Sequence, residues 1–242
     1  RGEALGTTYL QPVPVESDLQ ASPPTQVLGE FGPCLTLAEA AATQKADGLH
    51  VELGWWVRCR VAQNYALSVR LKDSDGRTLQ AVDIQPEHGF YPTSLWKAGE
   101  SVPTCCFLPV PEGTPPGLEY ALEVVLYDVR TLQPVGASAV SGIALTQPTL
   151  KADFPSLQRF AAELDLVDVQ VGAVEEGQPV RVTATWAAAA PLSRDYRLRL
   201  TLRNGDKTHV AEGPLVANYP THLWPAQAYV RAEYRLADVL PG

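Results

Sequence analysis

Apolar and polar residues alternate along this chain in short runs. Leu49, Val51, Leu53 and Trp55 share one parity, and so do Tyr65, Leu67, Val69 and Leu71. A period of two puts such residues on one face of an extended strand and the intervening ones on the other. The alternation returns as Val180, Val182, Ala184, Trp186 and then Tyr196, Leu198, Leu200, Leu202. Between the runs stand residues that tolerate positive φ in tight hairpins, Asp73-Ser-Asp-Gly76 and Asn204-Gly205-Asp206 among them. Helical periodicity is scarce. The best helical candidate, Leu157 to Leu164, follows Pro155 and has the length of about two turns. The pattern predicts an all-β chain of short antiparallel strands, the composition of a β-sandwich.

A second regularity is longer. Tyr91-Pro-Thr-Ser-Leu-Trp96 recurs as Tyr219-Pro-Thr-His-Leu-Trp224, and the flanking core positions keep step with it. Phe31, Leu35 and Leu37 match Phe160, Leu164 and Leu166; Trp55 and Tyr65 match Trp186 and Tyr196; Val102 and Leu108 match Val230 and Leu236. A motif that holds register with core positions on both sides reads as a structural corner of a repeated unit rather than as a ligand motif. The predicted organisation is an N-terminal segment 1–24, a β-sandwich unit 25–147, a linker 148–159 and a second unit 160–242. Both units are expected to be antiparallel sandwiches of immunoglobulin or fibronectin-like character. Pro116-Gly117 aligns with Pro241-Gly242, so the second unit is expected to lack the final strands that follow Gly117 in the first. Leu10-Gln-Pro-Val13 matches Leu132-Gln-Pro-Val135, which reads the N-terminal segment as the end of a preceding unit or a connection to one.

The composition narrows the partners. A formal charge of −8, a pI near 5.0 and no block of Lys or Arg remove the electrostatic basis for binding nucleic acid. No run of about 18 apolar residues is present to span a bilayer. The chain opens on Arg1 and contains no methionine, which reads as a piece of a longer protein.

In the first unit the order of features is distinctive: Phe31-Gly32 with Leu35 and Leu37; an alternating strand ending in Trp55; Asn64-Tyr-Ala-Leu-Ser-Val-Arg-Leu71 running to Asp75-Gly76; Asp83, Pro86 and Gly89 before the hexapeptide; Gly99-Glu100 and Val102; then Pro116-Gly117, Tyr120 and Leu126-Tyr-Asp128. It resembles the β-sandwich modules C-terminal to the membrane part of bacterial dolichyl-phosphate-mannose-mannosyltransferase-like glycosyltransferases. The likeness covers residues 31–147 well and 160–242 in part, since Trp224 is followed by Pro-Ala-Gln-Ala-Tyr-Val without the Gly-Glu pair. It implies an extracytoplasmic, non-catalytic region of a membrane-anchored parent that acts as spacer, positioning element or binding module for glycan or another envelope protein. The alternative is a free-standing secreted carbohydrate-binding or carbohydrate-active surface protein.

Candidate chemistry is sparse. Asp73, Asp75 and Glu87 are oxygen ligands of the type calcium takes, but the bidentate Glu of a calcium loop is missing and a hairpin turn is the simpler reading. His50, His88, His209 and His222 are dispersed without zinc-ligand spacing. No G-x-S-x-G elbow or phosphate-binding glycine loop occurs. No catalytic residue, metal or cofactor is therefore expected. Cys34, Cys59, Cys105 and Cys106 all fall in the first unit and are candidate disulfide cysteines or unpaired thiols; Cys105 and Cys106, adjacent on a strand, are expected to face opposite ways. Trp56 shares a strand with inward-facing Trp55 and should point outward, either as a ligand-contacting aromatic or packed beneath a loop or against the other unit.

Overall fold

The computed structural model describes residues 22–46, 48–175, 178–204 and 207–236. It is built of antiparallel sheets and divides into two compact units. The first runs to Pro109 and resumes over Ala121–Ile143; the second takes Val110–Tyr120 and the chain from Ala144 onward.

In the first unit one sheet has the order β1 (Gly29–Phe31), β2 (Leu35–Gln44), β3 (Gly48–Val57), β6 (Ser101–Pro109). The other has the order β5 (Thr78–Ile84), β4 (Tyr65–Lys72), β7 (Glu119–Asp128), β8 (Pro134–Ala144). Period-two patterning decides which face is covered. Leu49, Val51, Leu53, Trp55, Val102 and Leu108 from the first sheet are buried, as are Leu67, Val69, Leu71, Leu122, Val124 and Leu126 from the second. Trp55 is fully buried, edge-on to Phe31 at 5.1 Å, 6.4 Å from Trp96, and donating its indole N–H to Thr104 Oγ1 at 3.1 Å. A buried indole that left this donor unpaired would cost about 1–3 kcal/mol.

The second unit repeats the first sheet. β10 (Gln158–Phe160), β11 (Leu164–Val171), β12 (Val180–Ala188) and β15 (Ala228–Leu236) lie in that order, and β9 (Thr149–Leu150) is added beyond β15. The repeat extends to irregularities. β2 carries a bulge between Leu37 and Glu39, and β11 carries one between Leu166 and Asp168, at aligned positions. Of the second sheet, the described residues contain the hairpin of β13 (Arg197–Asn204) and β14 (Lys207–Pro214). Leu198, Leu200 and Leu202 of β13 are half-exposed, whereas their counterparts Leu67, Val69 and Leu71 are wholly buried in a sheet that continues from β4 through β7 and β8.

One sequence expectation changes. Residues 157–164 form no helix: Gln158–Phe160 pairs with Leu164–Leu166 in a hairpin whose turn holds Ala161 and Ala162 at φ of 48° and 61°. The burial of Leu164 and the buried carboxylate of Asp165 overrode local helix propensity. The segment 148–159 contains β9, bonded to β15 through Thr149 and Leu150, and the first residues of β10. The Leu10–Val13 match and the Pro241-Gly242 alignment fall outside the described residues, as do Gly205 and Asp206 of the Asn204 turn.

Candidate functional site

The hexapeptides have the same geometry in both units. Thr93, fully buried at the start of a 3₁₀ turn, accepts the backbone N–H of Tyr65 at 2.9 Å and donates to the carbonyl of Gln63 at 2.8 Å. Thr221 accepts from Tyr196 N–H at 2.8 Å and donates to Arg194 O at 2.9 Å. Trp96 and Trp224 each donate their indole N–H to the carbonyl of the tyrosine opening the motif, at 3.0 and 3.1 Å. The position after the threonine donates its amide to Asn64 Oδ1 in one unit and to Asp195 Oδ1 in the other. In the second unit His222 Nδ1 also lies 2.8 Å from Asp195, and the bonds from His222 hold the Asp195 carboxyl below its usual range. Each of these bonds ends on the backbone or on the strand-entry loop. The motif is a clasp that fixes where the following chain enters its strand.

The cysteines divide. Cys34 and Cys59 form a disulfide that ties the start of β2 to the loop after β3. The second unit closes the same corner without sulfur: Glu163, at the position of Cys34, accepts from Tyr196 Oη at 2.5 Å and Ser193 Oγ at 3.0 Å. Cys105 and Cys106 are free, the first exposed and the second buried. As neighbours on β6 they point to opposite faces, Cys105 beside Glu52 and Cys106 beside Val51, away from the bonded pair. Burial pushes the Cys106 thiol up to about 11. Trp56 is half-buried on the face opposite Trp55, in register between Thr36 and Ser101.

Asp73 accepts the amides of Asp75 and Arg77 with its own carboxylate, at 3.1 and 2.9 Å, and Gly76 takes φ of 76°. This is a side-chain-closed hairpin turn joining β4 to β5. Among the described residues, no group of three His, Cys, Asp or Glu side chains is placed to hold a metal ion.

A site that the motifs did not indicate lies on the outward face of the β5-β4-β7-β8 sheet. The outward positions of β4 begin with two small residues, Ala66 and Ser68, and continue with Arg70 and Lys72. Ala66 stands beside Tyr127 on β7, and Ser68 lies between Asp83 on β5 and Val125 on β7. Small side chains between larger ones leave a hollow of about 250 Å³, lined by Ala66, Asp83, Ile84, Gln85, Tyr127, Val129 and Leu132. Desolvation, and then the nearby Asp83 carboxylate, push the Tyr127 phenol up. Beyond the hollow Glu123 accepts from Arg70 at 3.2 Å and Lys72 at 2.8 Å, bonds that hold its carboxyl below the usual range.

The rim is unusual in its backbone. Asp128 accepts the amides of Arg130 and Thr131 on its side chain at 2.8 and 3.0 Å, and the amide of Leu132 on its carbonyl at 2.8 Å. These bonds hold Leu132 at φ of 58°, with 70% of its surface exposed. A leucine in the left-handed region costs about 1–2 kcal/mol, and this one recovers none of that by burial. The sequence signal for the site was the Ala-x-Ser pair on the outward parity of β4 facing Tyr127; it is legible only once strand neighbours are known. The second unit has Arg197 and Arg199 at the positions of Ala66 and Ser68.

Comparison with protein-family models and with curated proteins finds no match to this chain.

Proposed function

We propose that the chain is a binding region of two tandem β-sandwich units of immunoglobulin or fibronectin type, which takes carbohydrate in the hollow beside Tyr127. The strand orders β1-β2-β3-β6 and β5-β4-β7-β8 suit a sandwich of that type. So does Tyr120, which sits at the start of β7 and donates its hydroxyl at 2.6 Å to the carbonyl of Pro115, the tyrosine corner of such domains. The Cys34–Cys59 disulfide favours an oxidising, extracytoplasmic setting. With the resemblance of the first unit to glycosyltransferase-associated modules, the reading is a non-catalytic region of a membrane-anchored parent.

The observation that carries the binding role is the lining of the hollow: an exposed leucine held at positive φ, an aromatic ring, Asp83 and Gln85. Backbone strain of this kind clusters at ligand-binding sites. A ring face and an aliphatic side chain suit the apolar C–H face of a sugar, and a carboxylate and an amide suit its paired hydroxyls. Asp83 is the one carboxylate among the lining residues, whereas glycoside hydrolysis uses two, about 5–10 Å apart.

The test is titration of the full chain with a panel of neutral oligosaccharides, followed by NMR or calorimetry. Binding that is lost in Tyr127→Ala, weakened about tenfold in Asp83→Asn and unchanged in Trp56→Ala is the expected result. Failure of every oligosaccharide to bind, or binding that survives Tyr127→Ala, would overturn the reading.

A further inference from the structure

In the first unit β4 is hydrogen-bonded on both sides, to β5 and to β7. Its counterpart β13 pairs, among the described residues, with β14 alone. Among the described residues, no strand lies beside the other edge of β13, along which runs the half-exposed row Leu198, Leu200 and Leu202. These three pack on buried residues of the second unit, Leu198 on the cluster around Trp186 and the other two on that of Val180, Val182 and Leu236.

The outward side of β13 specifies what chemistry would complete this edge. It carries Arg197, Arg199, Thr201 and Arg203, the three arginines all exposed; on the β14 side Arg199 meets Glu212 at 3.2 Å, and the edge away from β14 offers the arginines no carboxylate among the described residues. Within the first unit the corresponding row of β4 ends in Arg70 and Lys72, and β7 answers with Glu123: directly opposite Arg70, and reached diagonally by Lys72 at 2.8 Å. Transferred through the repeat, the Glu123 position lies opposite Thr201 with Arg199 and Arg203 on either diagonal, within reach of long side chains. A second copy of β13 is a poor occupant, because antiparallel pairing of two such strands would set arginine rows against one another.

We propose that the free edge of β13 is an acceptor for one extended strand of β7 chemistry. The occupant runs antiparallel to β13, places apolar side chains at alternate positions over Leu198, Leu200 and Leu202, and carries a carboxylate outward between Arg199 and Arg203. Main-chain hydrogen bonds supply the general affinity, and the apolar parity and the carboxylate supply the selection.

The probe is a synthetic peptide with the sequence of Glu119–Asp128, added to the full chain and read by amide hydrogen exchange. Its alternate positions Tyr120, Leu122, Val124 and Leu126 are buried in β7, the alternation the acceptor requires. Expected is protection of the β13 amides that do not bond to β14, and no protection by a peptide of the same composition with its apolar and polar parities exchanged. Arg203→Glu, an exposed substitution, weakens the peptide about fivefold, and a peptide carrying Lys at the Glu123 position recovers that loss. Four results would overturn the proposal: no protection at saturating peptide, equal protection by the parity-exchanged peptide, the same amides already protected without peptide, or dimerisation of the chain through β13.

Discussion

Replacing Thr93 by valine tests whether the repeated hexapeptide is a clasp. Valine keeps the branched shape and volume, so packing around this fully buried position is retained and only the hydroxyl is lost. Two bonds go with it: the Tyr65 amide loses its 2.9 Å acceptor and the Gln63 carbonyl its 2.8 Å donor. A buried amide without a partner costs about 1–3 kcal/mol, and a carbonyl that keeps a second lone-pair site adds less, so the loss should be about 2–3 kcal/mol. Against a usual domain stability of about 5–15 kcal/mol this is a large fraction, and at about 1–3 kcal/mol per molar urea it moves the midpoint by about 1–2 M. The two units can melt separately, so the unfolding is best followed by hydrogen exchange with mass spectrometry on peptides from β4 and from 91–96. Thr93→Ser is the control: it keeps both bonds and sheds one methyl, for a loss of about 1 kcal/mol. Thr221→Val should repeat the effect in the second unit. A Thr93→Val protein within about 0.5 kcal/mol of the parent, or a serine variant as unstable as the valine one, would refute the argument.

Serine at both Cys34 and Cys59 frees a loop with a sequence separation of 25, and chain entropy puts the loss at about 3.5 kcal/mol, to be measured by denaturation with and without reductant. Iodoacetamide at pH 8 should label Cys105 in the native protein and leave Cys106 until it unfolds, because the buried thiol is pushed up to about 11 and holds little thiolate; rapid native labelling of Cys106 would contradict its burial. The wholly buried Asp165 accepts a bidentate pair of bonds from Arg159, each 2.9 Å, and one from Ser156 at 2.6 Å; these hold its carboxyl below the usual range. A depressed folded-state value means the stabilisation is fully present above the unfolded value of about 3.9 and is lost as pH falls through the folded one. The stability gap between the parent and Asp165→Asn should therefore be widest near neutral pH and narrow below about pH 4; a gap that does not change with pH would show that the carboxylate charge plays no part.

Period-two alternation and the spacing between Phe31, Trp55, Tyr65, the hexapeptide and Val102, matched in the second unit, were enough to determine the strands, their inward faces and the existence of a repeat. Those quantities depend on local backbone geometry and on which side chains shun water, and both are written along the chain. The sequence also placed Trp55 inward, and Cys105 and Cys106 on opposite faces, by parity alone. It could not decide which strands become neighbours across the sheet, since hydrogen bonding between strands joins residues far apart in sequence and is blind to side-chain identity. The pairing of Cys34 with Cys59, the fate of residues 157–164 and the aligned bulges in β2 and β11 all followed from that long-range choice. So did the hollow, which is lined by Ala66 of β4 together with residues of β5, β7 and the Asp128 turn. Tertiary structure alone also decided that Leu198, Leu200 and Leu202, patterned like the buried Leu67, Val69 and Leu71, remain half in water: a strand's parity says which face is apolar, and only a neighbouring strand covers it.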